Sequence, residues 1–167
     1  MRRLTVFNQV SLDGYFTDAN GDMSFARKDN QDAEWNTFAA SNAKGGGMLL
    51  FGRVTYELMA SFWHTAFAAE TMPPVAKRMN NLPKIVFSRT MDKVSWNNTR
   101  LVKVDMTGET RKMKKEPGED MAILGSGSSS SAAVKKPIEV EITAFNSAWL
   151  VLSVKLRFET QKIATIC

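Results

Sequence analysis

The sequence predicts an α/β protein: a mixed, mainly parallel sheet with helices on both faces and antiparallel strands near its C-terminal end. Three observations predict it. Short apolar runs at residues 48–51, 84–87 and 121–124 each deliver a small or polar tip, respectively Gly52, Ser88-Arg89-Thr90 and Gly125-Ser126-Gly127-Ser128. Helix-like segments separate these runs, the alternation expected of a parallel sheet. After Gly127 the pattern changes, and apolar residues alternate one by one with polar ones, the period of a strand with one wet face.

Each element follows from its own residues. A first strand is expected over 4–10, followed by the loop Ser11-Leu12-Asp13-Gly14-Tyr15. A helix over 30–42 places Trp35, Phe38, Ala39 and Asn42 at i, i+3, i+4 and i+7. Gly45-Gly46-Gly47 ends it and hands over to the strand 48–51. A helix over 53–63 carries Val54, Leu58 and Phe62 on one stripe. Pro73 and Pro74 open another, with Val75, Ala76 and Met79, because proline is tolerated in a first helical turn. Strands at 84–87 and 101–104 follow, then a basic helix opened by Thr107, then the strand 121–124. A short helix over 130–136 stops at Pro137. Ile138, Val140, Ile142 and Ala144 form one alternating strand, Leu150 to Phe158 a second, and Asn146-Ser147 the turn between them.

Bulk properties exclude several classes. The 167 residues are 44% hydrophobic and 23% charged, ordinary for a single globular domain spanning 1–167. No apolar run reaches the length of a membrane span and no signal peptide is evident, so a cytoplasmic protein without a membrane partner is expected. The single cysteine, Cys167, excludes an internal disulfide and a cysteine-rich metal site, and no metal is expected. The net charge of +5 comes mostly from scattered residues, and the densest cluster is Arg111, Lys112, Lys114 and Lys115. Without interleaved aromatics it reads as a solvated helix face, not a nucleic-acid surface. A basic chain still attracts small phosphorylated molecules.

The three strand tips share a chemistry. A strand that turns at glycine into a helix exposes free N–H groups to a ligand, and phosphate suits that position. Phe51-Gly52-Arg53-Val54-Thr55-Tyr56-Glu57, Ile85-Val86-Phe87-Ser88-Arg89-Thr90 and Ile123-Leu124-Gly125-Ser126-Gly127-Ser128, in this order, resemble the signatures of the dihydrofolate-reductase-like three-layer fold. Within it, Val10-Ser11-Leu12-Asp13-Gly14-Tyr15 is more similar to the reductase domain of bacterial riboflavin biosynthesis and its stand-alone relatives. The resemblance covers residues 1 to about 128. Beyond them the chain departs from the family pattern, because the run 150–158 lacks the glycines expected there.

The resemblance implies NADPH lying across the C-terminal strand ends. Gly52, Arg53 and Thr55 match the turn at the cofactor's phosphates, and Ser88, Arg89 and Thr90 match the loop receiving the adenosine end. There the Arg89 fork suits a 2′-phosphate. Gly125, Ser126, Gly127 and Ser128 match the loop beneath the diphosphate. Arg53 reads equally as a surface helix residue, and the Gly-Ser-Gly as a simple turn. On the substrate side stand Asn8, Ser11, Asp13, Gly14 and Trp35. Asp13 has an alternative role as a turn residue bonding its own backbone, and Trp35 one as core. Asn8 is a polar residue in a central strand and needs a partner. Asp32, Glu34 and Asn36 lie where dihydrofolate reductases carry their acid, and the sequence does not choose a catalytic residue among them. His64, the only histidine, reads as a surface or capping residue.

The implied reaction is hydride transfer from NADPH to a small-molecule substrate of pyrimidine or pterin type. In the riboflavin-type reductase the acceptor is the ribosyl C1 of an aminopyrimidine phosphate. A dihydrofolate reductase and a nucleotide-binding module without turnover are the alternatives. A homodimer is expected, because the strand 150–158 would be hazardous as a naked edge.

Overall fold

The first strand, β1 (Leu4–Ser11), alternates buried and half-buried residues along its whole length. Leu4, Val6, Asn8 and Val10 form the buried row, and Thr5, Phe7, Gln9 and Ser11 the other. The computed structural model describes residues 2–11, 15, 17–23, 33–44, 47–103, 105–125, 139–145 and 151–158. In chain order β1 is followed by α1 (Ala33–Lys44), β2 (Met48–Gly52), α2 (Arg53–Trp63), α3 (Ala66–Thr71), α4 (Pro73–Asn81), β3 (Lys84–Phe87), β4 (Thr99–Val102), α5 (Met106–Lys115), β5 (Met121–Leu124), β6 (Glu139–Phe145) and β7 (Val151–Phe158).

The strands form one seven-stranded sheet in the order β4-β3-β2-β5-β1-β7-β6. The first five run parallel, while β7 is antiparallel to both β1 and β6. The expected mixed, mainly parallel sheet is therefore found, and the strands at 48–51, 84–87 and 121–124 share it. Its two faces bury two clusters. Leu4, Val6, Leu50, Ile85, Met121 and Ile123 pack on one face with Met113 of α5. Leu49, Phe51 and Val86 pack on the other with Tyr56 and Ala60 of α2 and Met79 of α4. On that second face α1 lies beside α4 and rests Phe38 against Phe7, with ring centroids 6.0 Å apart.

Several boundaries differ from those expected. The fourth strand begins at Thr99, two residues earlier than its apolar pair suggests, because Lys84↔Thr99 and Ile85↔Arg100 already pair along β3. The basic helix starts at Met106 because the Asp105 carboxylate accepts hydrogen bonds from the Thr107 and Gly108 N–H groups at 3.3 and 2.7 Å, a side-chain N-cap. α3 was not expected; six residues show no period, but the Thr65 hydroxyl caps them by accepting from Ala68 N–H at 3.1 Å. The stripe Val54, Leu58 and Phe62 does not face the core. Val54 is 68% exposed, and Tyr56 and Ala60 are buried in its place.

Lys114 also departs from expectation. Only Arg111, Lys112 and Lys115 of the basic cluster are solvated, whereas Lys114 is buried and burial lowers its pKa. The strand 151–158 is not an edge either. It has β1 on one side and β6 on the other, so its ladder is satisfied within the chain and the edge argument for a dimer falls away. The expected helix over 130–136 and the turn at Asn146-Ser147 lie outside the described residues.

Candidate functional site

Register brings the sequence tips together at the C-terminal ends of the parallel strands. Gly52 of β2 pairs with Phe87 of β3, so Ser88 begins one residue beyond that level. On the other side β5 ends level with Phe7 of β1, and Gly125 N–H donates to the Phe7 carbonyl at 3.0 Å. Across the sheet the tips therefore run Ser88, Gly52, Gly125, Asn8. β1 continues past this level to Ser11, alongside β7.

Gly52 is the N-cap of α2, and among the described residues no side chain caps the helix. Its φ of −79° is one any residue adopts, so glycine contributes a missing side chain there, not backbone freedom. The first-turn N–H groups of α2 meet neither a side-chain cap nor an acidic residue, and they carry the positive end of the helix dipole. Gly125 differs, because its φ of +64° lies in the left-handed region, which glycine adopts without strain. A Cβ there would stand 3.1 Å from Thr55 Cγ2, so Thr55 and Gly125 pack directly together.

The other expected residues divide. Arg53 pairs with Glu57 one turn along α2, at 3.0 Å, the arrangement of a surface helix residue; turning to a ligand requires it to leave Glu57. Ser88 Oγ accepts from the Thr90 and Met91 N–H groups at 3.2 and 3.1 Å, folding the 88–91 turn on itself. That turn leaves Arg89 exposed, without a hydrogen bond or ion pair among the described residues. The Ser11 hydroxyl accepts from Tyr15 N–H at 3.0 Å and so closes the loop. Asp13 and Gly14 within it lie outside the described residues, as do Ser126, Gly127 and Ser128. Trp35 is half-buried against Phe38, with centroids 5.9 Å apart, and its cluster rests on the Phe7 face of β1, opposite Asn8. Trp35 and Asn8 are therefore not brought together. Asn8 is 7% exposed and its Oδ1 accepts no hydrogen bond among the described residues.

Among the acid candidates, Glu34 is exposed in the first turn of α1, Asn36 is half-buried, and Asp32 lies outside the described residues. His64 is exposed at the C-cap of α2, its ring edge against Trp96. No pattern in the residues points to the most unusual ionisable group. Lys84 is 1% exposed, and its Nζ donates to the carbonyls of Asn80, Leu82 and Asn97 at 3.2, 2.7 and 3.1 Å. It also sits 4.6 Å from the Trp96 ring centre, and burial lowers its pKa to about 8.

Lys84 borders a cavity of about 610 Å³ at the opposite, N-terminal ends of the strands, where Arg2, Met48 and Arg100 also line it. Its cations are largely engaged: Lys84 with three carbonyls, Arg100 with Glu109 at 3.3 Å, and Arg2 with the Glu119 carbonyl. Lys112, which also lines the cavity, is exposed, but the N-terminus of α2 and the exposed Arg89 stand together at the other end. That end of the sheet is the candidate site.

Comparison with known proteins fits this architecture. Residues 2–139 match the RibD C-terminal domain family. The chain belongs to that family. With this membership comes the fold expected of it, that of the riboflavin-biosynthesis reductase domain. A relative of similar sequence is the "Uncharacterized protein YyaP" of Bacillus subtilis (strain 168), 26% identical over 127 residues. The match covers 76% of this chain and 64% of that protein, so the chain spans just under two thirds of its relative's length. The crystal structure of a "Putative riboflavin biosynthesis protein" from Shewanella sp. PV-4 superposes with a TM-score of 0.49 at 15% identity, covering 93% of this chain and 97% of that one. Among the described residues of this RibD C-terminal domain, no helix is long and apolar enough to cross a membrane.

Proposed function

We propose that this chain is an NADPH-dependent reductase that transfers a hydride to a pyrimidine- or pterin-type substrate, as a riboflavin-type reductase does. The observation that carries the reading is the uncapped N-terminus of α2 packed through Thr55 against the left-handed Gly125. Exposed Arg89 stands on the neighbouring strand end. In this reading the first-turn N–H groups of α2 receive the diphosphate beside Thr55, and Gly125 to Ser128 line its other side. Ser88 and Thr90 hold the turn that presents Arg89 to the 2′-phosphate. When bound, the cofactor supplies the hydride, and the chain supplies placement and charge. We assign Asn8, Ser11, Asp13 and Gly14 to the substrate side of the proposed site; Trp35, packed with Phe38 on the opposite face of β1 from Asn8, takes its alternative role as core.

Pairing into a homodimer belongs to the same proposal, now supported by the exposed apolar stripe of α2 and α3. Val54, Leu58, Phe62 and Phe67 are exposed there, an arrangement typical of interaction surfaces.

Titrating NADPH and NADH separately, followed by a substrate screen at saturating cofactor, tests the reading. Binding with hydride transfer supports a reductase, whereas nucleotide binding with no turnover of any pyrimidine or pterin reduces the protein to a binding module. Arg89→Ala should weaken NADPH by about 1.5–3 kcal/mol and leave NADH nearly unchanged. Equal losses for both would remove Arg89 from the 2′-phosphate.

A further inference from the structure

Asn8 breaks the pattern of its own strand. The buried row of β1 reads Leu4, Val6, Asn8, Val10, and an amide stands where the alternation calls for an aliphatic side chain. It is 7% exposed, and its Oδ1 has no hydrogen-bond partner among the described residues. A buried acceptor left unpaired is destabilising. The cost is avoidable in principle, since a leucine in the same row would continue the Val6 and Val10 surface.

Its position gives the orphan a use. Phe7 pairs with Leu124, so one residue on Asn8 stands level with Gly125, on the strand next to it. Gly125 in turn contacts Thr55 at the head of α2. Asn8 is thus the next strand end along from the proposed diphosphate cradle, where the described part of β5 has ended and β1 runs on. An unpaired carbonyl oxygen at that point calls for a ligand donor, and among the groups of the proposed ligands an amide or amino N–H is the one borne by the reacting rings.

We propose that Asn8 is a binding and specificity residue whose Oδ1 accepts a hydrogen bond from an N–H of the bound ligand, either a carboxamide or a ring amino group. This rests on the reductase reading above, which supplies the two sources: the carboxamide of the nicotinamide ring and the amino group of an aminopyrimidine. A site built to pair with an N–H discriminates strongly against an analogue lacking it, because the buried acceptor is then left unpaired.

The test uses the full chain and three forms of it: wild type, Asn8→Leu, which removes the acceptor, and Asn8→Asp, which keeps an acceptor oxygen at the same reach. In the cofactor arm each form is titrated with NADPH and with its acetylpyridine analogue, which has a methyl group in place of the carboxamide NH₂. In the substrate arm the NADPH-saturated forms are titrated with 5,6-diaminouracil and with 5,6-dimethyluracil. Wild type should prefer the N–H-bearing ligand by about tenfold or more in one arm, and that arm names the source. Asn8→Leu should lose the preference and Asn8→Asp should retain part of it. Thermal melting without ligand supplies an independent readout: Asn8→Leu should melt no lower than wild type, while its shift on ligand addition shrinks. If wild type binds NADPH but Asn8→Leu titrates like it in both arms, the proposal is overturned and the reductase reading stands. If wild type binds neither NADPH nor diaminouracil, the reductase reading fails and takes this one with it.

Discussion

Gly125 and Lys84 carry the two sharpest expectations for single side chains. Gly125 holds a φ of +64° with Thr55 Cγ2 3.1 Å from the place a Cβ would take. Gly125→Ala should therefore cost about 1–2 kcal/mol from backbone conformation, with a further contact penalty against Thr55. Adding Thr55→Ser, which deletes that methyl, should recover only the contact part; full recovery in denaturant melts would show that the left-handed backbone costs nothing. Lys84 is a question of protonation. Burial lowers its pKa from 10.5 to about 8 in the folded chain, while the unfolded chain keeps an ordinary lysine. Below pH 8 both states carry the proton and the cost of the buried charge is fully present. Between the two values the unfolded state holds more protons, so stability rises with pH, by at most about 3 kcal/mol. Comparing denaturation midpoints of wild type and Lys84→Met at pH 7.5 and 9.5 isolates this group. Wild type should gain on the variant as pH rises, and parallel changes would contradict the assignment.

At the scale of elements, α2 does two jobs with two faces. Its N-terminus feeds the candidate site, while its buried face ties the segment after β3 to the core. The Tyr56 hydroxyl accepts from the Ser95 and Trp96 N–H groups at 3.1 and 3.0 Å, and Trp96 Nε1 donates to Asn80 of α4 at 2.7 Å. Tyr56→Phe leaves the ring in place and removes the shared acceptor, so the buried Trp96 N–H loses its partner. About 1–3 kcal/mol of stability should go with it. Urea denaturation measures the loss, and a change near zero would mean that the loop finds another acceptor. Leu58, two residues on and so on the exposed face, should tolerate change with little effect on the stability of the isolated chain.

For the whole molecule the sheet order matters most. With β7 lodged between β1 and β6, the exposed edges are β4 and β6, so pairing along β7 is not available to a second copy. The apolar stripe on α2 and α3, where Val54, Leu58, Phe62 and Phe67 are exposed, is the surface proposed for a dimer. Light scattering should therefore give twice the mass of the chain for wild type and the single mass for a Leu58→Asp, Phe62→Asp double variant. A wild-type monomer at micromolar concentration would refute the homodimer.

Short-range chemistry was enough to make much of this protein legible from its residues. The runs 84–87 and 121–124 are strands as read, since apolar residues dominate each and a small or polar tip follows. Glycine after an apolar run likewise announced the β2–α2 turn. What a one-dimensional pattern lacks is the identity of each neighbour. Val54, Leu58 and Phe62 share a stripe by spacing, yet only the packing of α2 on the sheet decided that Tyr56 and Ala60 are buried instead. The Lys84 ammonium reads as the polar start of a strand until Asn80, Leu82 and Asn97 converge on it. Leu150 to Phe158 reads as a vulnerable edge until β1 and β6 occupy both its sides. Burial and pairing are properties of contacts between distant segments, so the sequence determined which elements form and which small or polar residues stand at their tips. The tertiary structure alone decided which faces they hide and which polar atoms, Asn8 Oδ1 above all, are left without a partner.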